Sequence, residues 1–215
     1  MSVDFVGTMH APVPLDALVT TARETLARLL GLRAIPVIDV IADRRFDQGS
    51  PVDAGRRLRD QELGAVLVGE RVPGSPVEDP SERDFAFCVA GSRDMVRLMM
   101  FDPHEHLDHE APHEKRGPVE AVFSPTRTCV GVVTAAALAL AVGSLGDGEF
   151  IDAEVSLLQA PESDPARMIE LTRLPDRGDD FGARCERFMR QFARLNGWPR
   201  DVRLPPGPEA DGASP

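Results

Sequence analysis

Lysine is nearly absent from this chain: of 24 basic side chains, Lys115 alone is not an arginine. Positive charge is also outweighed overall, since 35 acidic residues bring the formal net charge to −11. A phosphate-binding surface needs a surplus of basic groups, so nucleic acid is excluded as the expected partner. Cysteine is scarce too. Cys88, Cys129 and Cys185 are odd in number, widely spread and never in C-x-x-C spacing, which suits reduced, packed thiols in a cytoplasm. The opening MSVDFVGTMH has neither a basic stretch nor a long apolar one, so no secretory signal is expected and the chain is read as cytoplasmic. The longest apolar run, residues 130–142, is interrupted by Thr134 and falls short of the roughly 20 residues that span a bilayer, so no membrane partner is expected. No G-x-x-x-x-G-K-[ST] or G-x-G-x-x-G phosphate loop, G-x-S-x-G elbow or H-E-x-x-H helix occurs. Their absence argues against nucleotide-dependent enzymes and the common hydrolases.

What is present is a globular composition, 42% hydrophobic against 27% charged. Leu15, Leu18, Val19, Ala22, Leu26, Leu29 and Leu30 recur at helical spacing and Gly31 supplies a stop, which predicts an amphipathic helix. Strands are expected at 3–8 and at 34–41, where Pro36 favours an edge or a strand start. Residues 47–51 (DQGSP) read as a turn, 53–62 as a short amphipathic helix and 64–68 as a β-rich run. The clearest hairpin pairs 85–89 with 95–101 through AGSRD, and 119–123 resumes as a strand that Pro125 breaks. Residues 129–145 are almost wholly apolar, and a helix hydrophobic all round belongs in the interior. A strand at 149–157 and helices at 165–174 and 181–195 follow. The last carries Phe181, Cys185, Phe188, Phe192 and Leu195 as one stripe and Arg184, Arg187, Arg190 and Arg194 on its other faces, read as solvated with intrahelical pairs.

The expected fold class is therefore α+β: a single mixed or mostly antiparallel sheet packed by the buried Ala/Leu helix (129–145), the N-terminal amphipathic helix and the C-terminal helices. One domain is expected over 1–203, with 163–203 as an appended helical segment and 204–215 as a disordered tail lacking packing residues. Residues 163–203 hold nine arginines against seven acids and the tail adds two acids, leaving 15 basic and 26 acidic residues in 1–162. The whole net charge thus resides in the first three-quarters of the chain.

Two loops concentrate it. Residues 78–84 carry Glu78, Asp79, Glu82 and Asp84, and residues 102–114 include Glu105, Asp108 and Glu110. If both lie at one end of the sheet, their fields add and steer a basic partner there; the alternative is a merely solvated surface. The second loop is some 17 residues long and holds four of the five histidines, longer than most connections in compact domains.

Within it His104, His106, Asp108 and His109 spell H-x-H-x-D-H after an apolar strand, which resembles the signature of the metallo-β-lactamase-like hydrolases. The resemblance implies a two-metal site in which these four side chains hold ions that activate water. That family draws further ligands from later loops, whereas here only His113 follows and EAP replaces the usual glycine-rich continuation. The motif is accordingly read as incidental. No cofactor is expected; a divalent transition metal such as zinc at His104, His106, Asp108 and His109 is the alternative, with His10 or His113 as candidate further ligands. Cys129, where the strand–turn VFSPTRT feeds the buried helix, is a candidate nucleophile because a helix N-terminus lowers a thiol pKa; a packed core thiol is the competing reading.

Residues 134–154 (TAAALALAVGSLGDGEFIDAE) resemble small bacterial α+β proteins, including immunity-type and uncharacterised families, in which an Ala/Leu helix, a glycine turn and an aspartate-bearing strand follow one another. Three functions stay open: an acidic intracellular binding protein, with an immunity-type neutraliser of a basic toxin as the form the resemblance implies; a metal-dependent hydrolase using residues 104–109; and a thiol enzyme at Cys129. The first is preferred, which leans against an enzyme and leaves oligomeric state open.

Overall fold

The computed structural model describes residues 3–42, 46–47, 50–51, 55–70, 85–102, 117–152, 154–176, 180–192 and 195. Its elements run β1 (Phe5–Met9), β2 (Val13–Pro14), α1 (Leu15–Leu30), β3 (Ile38–Ala42), β4 (Phe46–Asp47), β5 (Ser50–Pro51), β6 (Arg56–Arg57), α2 (Asp60–Leu63), β7 (Leu67–Val68), β8 (Phe85–Val89), β9 (Met95–Phe101), β10 (Val119–Pro125), α3 (Cys129–Leu145), β11 (Phe150–Ile151), α4 (Pro165–Thr172) and α5 (Phe181–Arg190). The chain is α+β. Its main sheet has seven strands in the order β11-β1-β10-β9-β8-β3-β6, and every pairing described in it is antiparallel.

Alternation decides which face is core. Phe5 lies opposite Phe123, Phe123 opposite Leu98 and Leu98 opposite Phe85, so one row of large side chains crosses four strands, all of them buried. Against β1 and β10 lies α3, and α1, α4 and α5 pack around it. Fifteen residues of α3, Cys129 to Gly143, are buried, as an all-apolar helix requires. Gly7 permits this approach: a Cβ there would meet the Ala139 carbonyl and lie 2.8 Å from Val142 Cβ. The side chains of α4 and α5 join the same apolar cluster as those of the sheet.

Hydrogen bonds account for most helix ends. Thr128 caps α3 by accepting the Gly131 N–H at 2.9 Å, Asp164 caps α4 and Asp180 caps α5, each offering an oxygen to otherwise unpaired first-turn donors. At the end of α1, Gly31 adopts the left-handed conformation (φ 62°) and returns its N–H to Ala27.

Three expectations need correction. A helix over 53–62 is replaced among the described residues by β6 and the single turn α2: Arg56 and Arg57 pair with Ala42 and Ile41, and Leu58 is buried with its N–H on the Val40 carbonyl at 2.9 Å. Covering the edge of β3 outweighs a weak helical pattern. The strand over 149–157 stops at Ile151, because the Asp152 carboxylate takes the N–H groups of Val155, Ser156 and Leu157 at 2.9, 2.9 and 2.5 Å and curls the chain into a loop. Arg184 is not on a solvated face but wholly buried. Its Nε donates to the Leu30 carbonyl at 2.5 Å and a terminal nitrogen to Pro175 at 2.6 Å, so the guanidinium closes the C-terminus of α1, where a cation also complements the helix dipole. The solvated reading holds for Arg190, paired with Glu186 one turn back at 3.1 Å.

Candidate functional site

The two ends of the sheet differ. At one, the β8–β9 turn meets the start of α3: Asp94 is buried and accepts the hydroxyls of Thr126, at 3.2 Å, and Thr128. Thr126 in turn accepts the Met95 N–H at 3.3 Å. A carboxylate satisfied by two hydroxyls, one of them the helix cap, locks the hairpin to α3. Cys129 is the first residue of that helix and is buried. Burial, and then the nearby Glu186, push its thiol up to about 11, while Arg190 opposes the shift. Its neighbour Cys185 is fully buried and shifted upward by burial and then by Cys129. The thiolate that a nucleophile needs is thus disfavoured where the helix N-terminus would have promoted it. Cys129 is also remote from the described residues that flank the histidine segment, because α3 spans about 25 Å at 1.5 Å per residue and those residues lie beyond its other end.

That other end is acidic. Phe85 opens β8 opposite Leu98, and Phe101 closes β9 opposite Glu120. The described residues that border 71–84 and 103–116 in the chain therefore lie at one and the same end of the sheet. There too β1 finishes, Met9 opposite Val119. His10 follows, exposed, with its N–H on the Gly146 carbonyl at 2.8 Å. Asp147 and Glu149 are exposed on the adjoining turn, where the Glu149 carbonyl accepts the Thr8 N–H at 2.8 Å. Exposed Glu70 follows Gly69, whose N–H points to Met100 Sδ at 3.2 Å. With Asp102 and Glu120, five described acids mark this end. The nearby Arg56 and Arg57 are engaged by Glu62 and Asp39, at 2.6 and 2.5 Å.

Of the residues named from sequence, Glu78, Asp79, Glu82, Asp84, His104, Glu105, His106, Asp108, His109, Glu110 and His113 lie outside the described residues, as do Arg194 and residues 204–215. The structure brings together the points from which the two acidic segments depart, and sets His10 beside them. Among the described residues no group of three His, Cys, Asp or Glu side chains could hold a metal ion, and no helix is long and apolar enough to cross a membrane.

A feature that sequence reasoning missed lies beside β11. The loop over 150–163, closed by the Phe150 N–H on the Ser163 carbonyl at 2.8 Å, forms with α4 and the end of α5 a cleft of about 1010 Å³. Its lining is contributed by segments up to 42 residues apart, from Phe150 to Phe192, and the strand expected over 149–157 hid the loop.

Fold and site together define a class: an α+β protein with an antiparallel seven-stranded sheet, one helix enclosed in its core and an acidic sheet end. No protein-family model matches the chain, and neither does any curated protein or solved structure.

Proposed function

We propose that this chain is an intracellular acidic binding protein that docks a basic protein partner on the acidic end of its sheet. The observation that carries the reading is the antiparallel register of β8, β9 and β10, which puts the departures of both acidic segments on one end beside Glu70, Asp102, Glu120, Asp147 and Glu149. Like charges gathered at one end raise the local concentration of a cationic partner and its association rate. Glu78, Asp79, Glu82, Asp84, Glu105, Asp108 and Glu110 are the proposed contacts. Neutralisation of a basic toxin is the form of this function that the resemblance of residues 134–154 to immunity-type proteins suggests; in the structure that stretch is the helix α3, the turn at Gly146 and the strand β11 followed by Asp152.

The test is capture at low salt, with cross-linking, by the natural chain and by a variant carrying Glu78→Lys, Asp79→Lys, Glu105→Lys and Asp108→Lys. The expected partner is basic, cross-links at the acidic end, dissociates near 1 M salt where the Debye length is about 3 Å, and is not held by the variant. A partner retained equally by the variant and at 1 M salt contradicts the reading. The position of His10 favours one other reading, a metal-dependent hydrolase at His104, His106, Asp108 and His109. Stoichiometric zinc in untagged protein, lost on His104→Ala with His106→Ala, would replace the first reading with this one.

A further inference from the structure

The cleft beside β11 adjoins the acidic end, since its Ser163 hydroxyl donates to Glu149 at 3.3 Å, but it opens between different elements and has a chemistry of its own. Its lining is mixed: Phe150, Leu157, Met168 and Phe192, all buried, with Leu171, 47% exposed, make up the apolar half, and Asp152, Ser156, Gln159, Glu162, Ser163 and Gln191 the polar half. Phe150 is backed by Phe5, the two rings stacked with centroids 5.8 Å apart. The loop that forms the other wall is held in shape from within. Asp152 gathers three successive N–H groups, Ser156 takes a left-handed conformation (φ 52°), and the Phe150–Ser163 hydrogen bond closes the loop at its base. On the facing side the Gln191 amide is anchored to the Thr172 carbonyl at 2.8 Å. The cavity is therefore preformed, and its volume is at the upper end of small-molecule sites, about 300–1,000 Å³.

Among the described residues its only ionisable lining groups are two carboxylates, Asp152 and Glu162, and no described Lys, Arg or His borders it. The hydrogen bonds of Asp152 are largely committed to the loop, so it contributes chiefly its charge. Glu162 places one oxygen on the Asp164 N–H at 3.1 Å, and its second has no partner among the described residues. A lining half apolar and half polar, with negative charge and no cation among the described residues, favours one kind of occupant. A neutral apolar molecule would give the open Glu162 oxygen no partner, and an anion would be repelled by both carboxylates. We infer that the cleft binds a small amphipathic amine, its hydrocarbon or aryl body against Phe150, Leu157, Met168 and Phe192 and its ammonium toward Glu162 with Asp152 behind it.

n-Octylammonium, 1-octanol and octanoate serve as probes, read by methyl-region NMR of the full chain and by titration calorimetry. Octylammonium is expected to bind saturably and to shift the Met168, Leu157 and Leu171 methyls, with octanol weaker and octanoate unbound. Glu162→Gln is expected to weaken octylammonium about three- to tenfold, the loss of one partly screened ion pair, and to leave octanol unchanged. Glu162→Lys, at a surface position that does not test the core, is expected to reverse the preference in favour of octanoate. Equal binding of amine and carboxylate, shifts at methyls outside the cleft, or no binding by any probe overturns the proposal. The Glu162 variants leave the carboxylates of the acidic end in place and binding is read at methyls of the cleft, so failure here leaves the docking proposal standing.

Discussion

Arg184 shows how one side chain can join elements that no periodicity connects. Its guanidinium bridges carbonyls at Leu30 and Pro175, tying α5 to the end of α1 and to the segment after α4. Arg184→Met keeps much of the volume but removes charged donors from two acceptors, so it is expected to lower the unfolding free energy by about 2–4 kcal/mol in urea titration, and Arg184→Lys to recover little because an ammonium lacks the planar fork. Unchanged stability in Arg184→Met would show the bridge to be dispensable. The thiols make a second prediction at this scale. Below the ordinary thiol value of 9.0 both folded and unfolded states keep the Cys129 proton; between there and about 11 the unfolded state ionises first. Stability is therefore expected to fall as pH rises through this window, with a shallower slope in Cys129→Ala. Half-buried Cys88 should be alkylated in the native protein before buried Cys129 and Cys185, and prompt modification of Cys129 at neutral pH would revive the thiol-enzyme reading.

At the scale of elements, the closest fit is that of α3 on β1. Gly7→Ala drives a methyl into the Ala139 carbonyl and the Val142 side chain, and overpacking of this kind is expected to cost about 1–3 kcal/mol. Gly64→Ala is the control: its new Cβ would sit 3.4 Å from Asp16 Oδ2, an ordinary contact, and the urea midpoint should barely move. The long elements were legible for a simple reason. The stripe from Leu15 to Leu30, the unbroken apolar runs of α3 and β8 and the alternation in β9 and β10 are each specified by residues within the element itself. The short ones were not. β6 exists because β3 needs an edge partner, and β11 ends because the Asp152 side chain takes backbone donors that a strand would have used; both are tertiary or side-chain effects without a period. The Arg184 side chain was misplaced for the same cause, since four arginines at helical spacing look alike until one of them meets a neighbouring helix end. The acidic segments were visible as composition, but only strand register could join them, and the cleft left no mark in any single stretch of sequence.

Across the whole molecule, polarity runs along the sheet. One end is a lock, where Asp94 accepts Thr126 and Thr128 and joins the hairpin to α3, with Arg93 and Arg127 exposed beside it; the other gathers acids from the ends of β7, β9 and β10 and from the α3–β11 turn. The acidic end, where we propose that a partner docks, sits on strand ends and turns, while the core of α3 and its sheet rows supports it. The most direct measurement of this polarity is amide NMR of the chain titrated with an oligoarginine peptide at low and high salt. The amides of Met9, His10, Glu70, Phe101, Asp102, Glu120 and Asp147 are expected to shift together, and the shifts to vanish near 1 M salt, while those of Asp94 and Thr128 stay in place. Equal shifts at both ends of the sheet, or shifts confined to Asp94 and Thr128, would contradict the account.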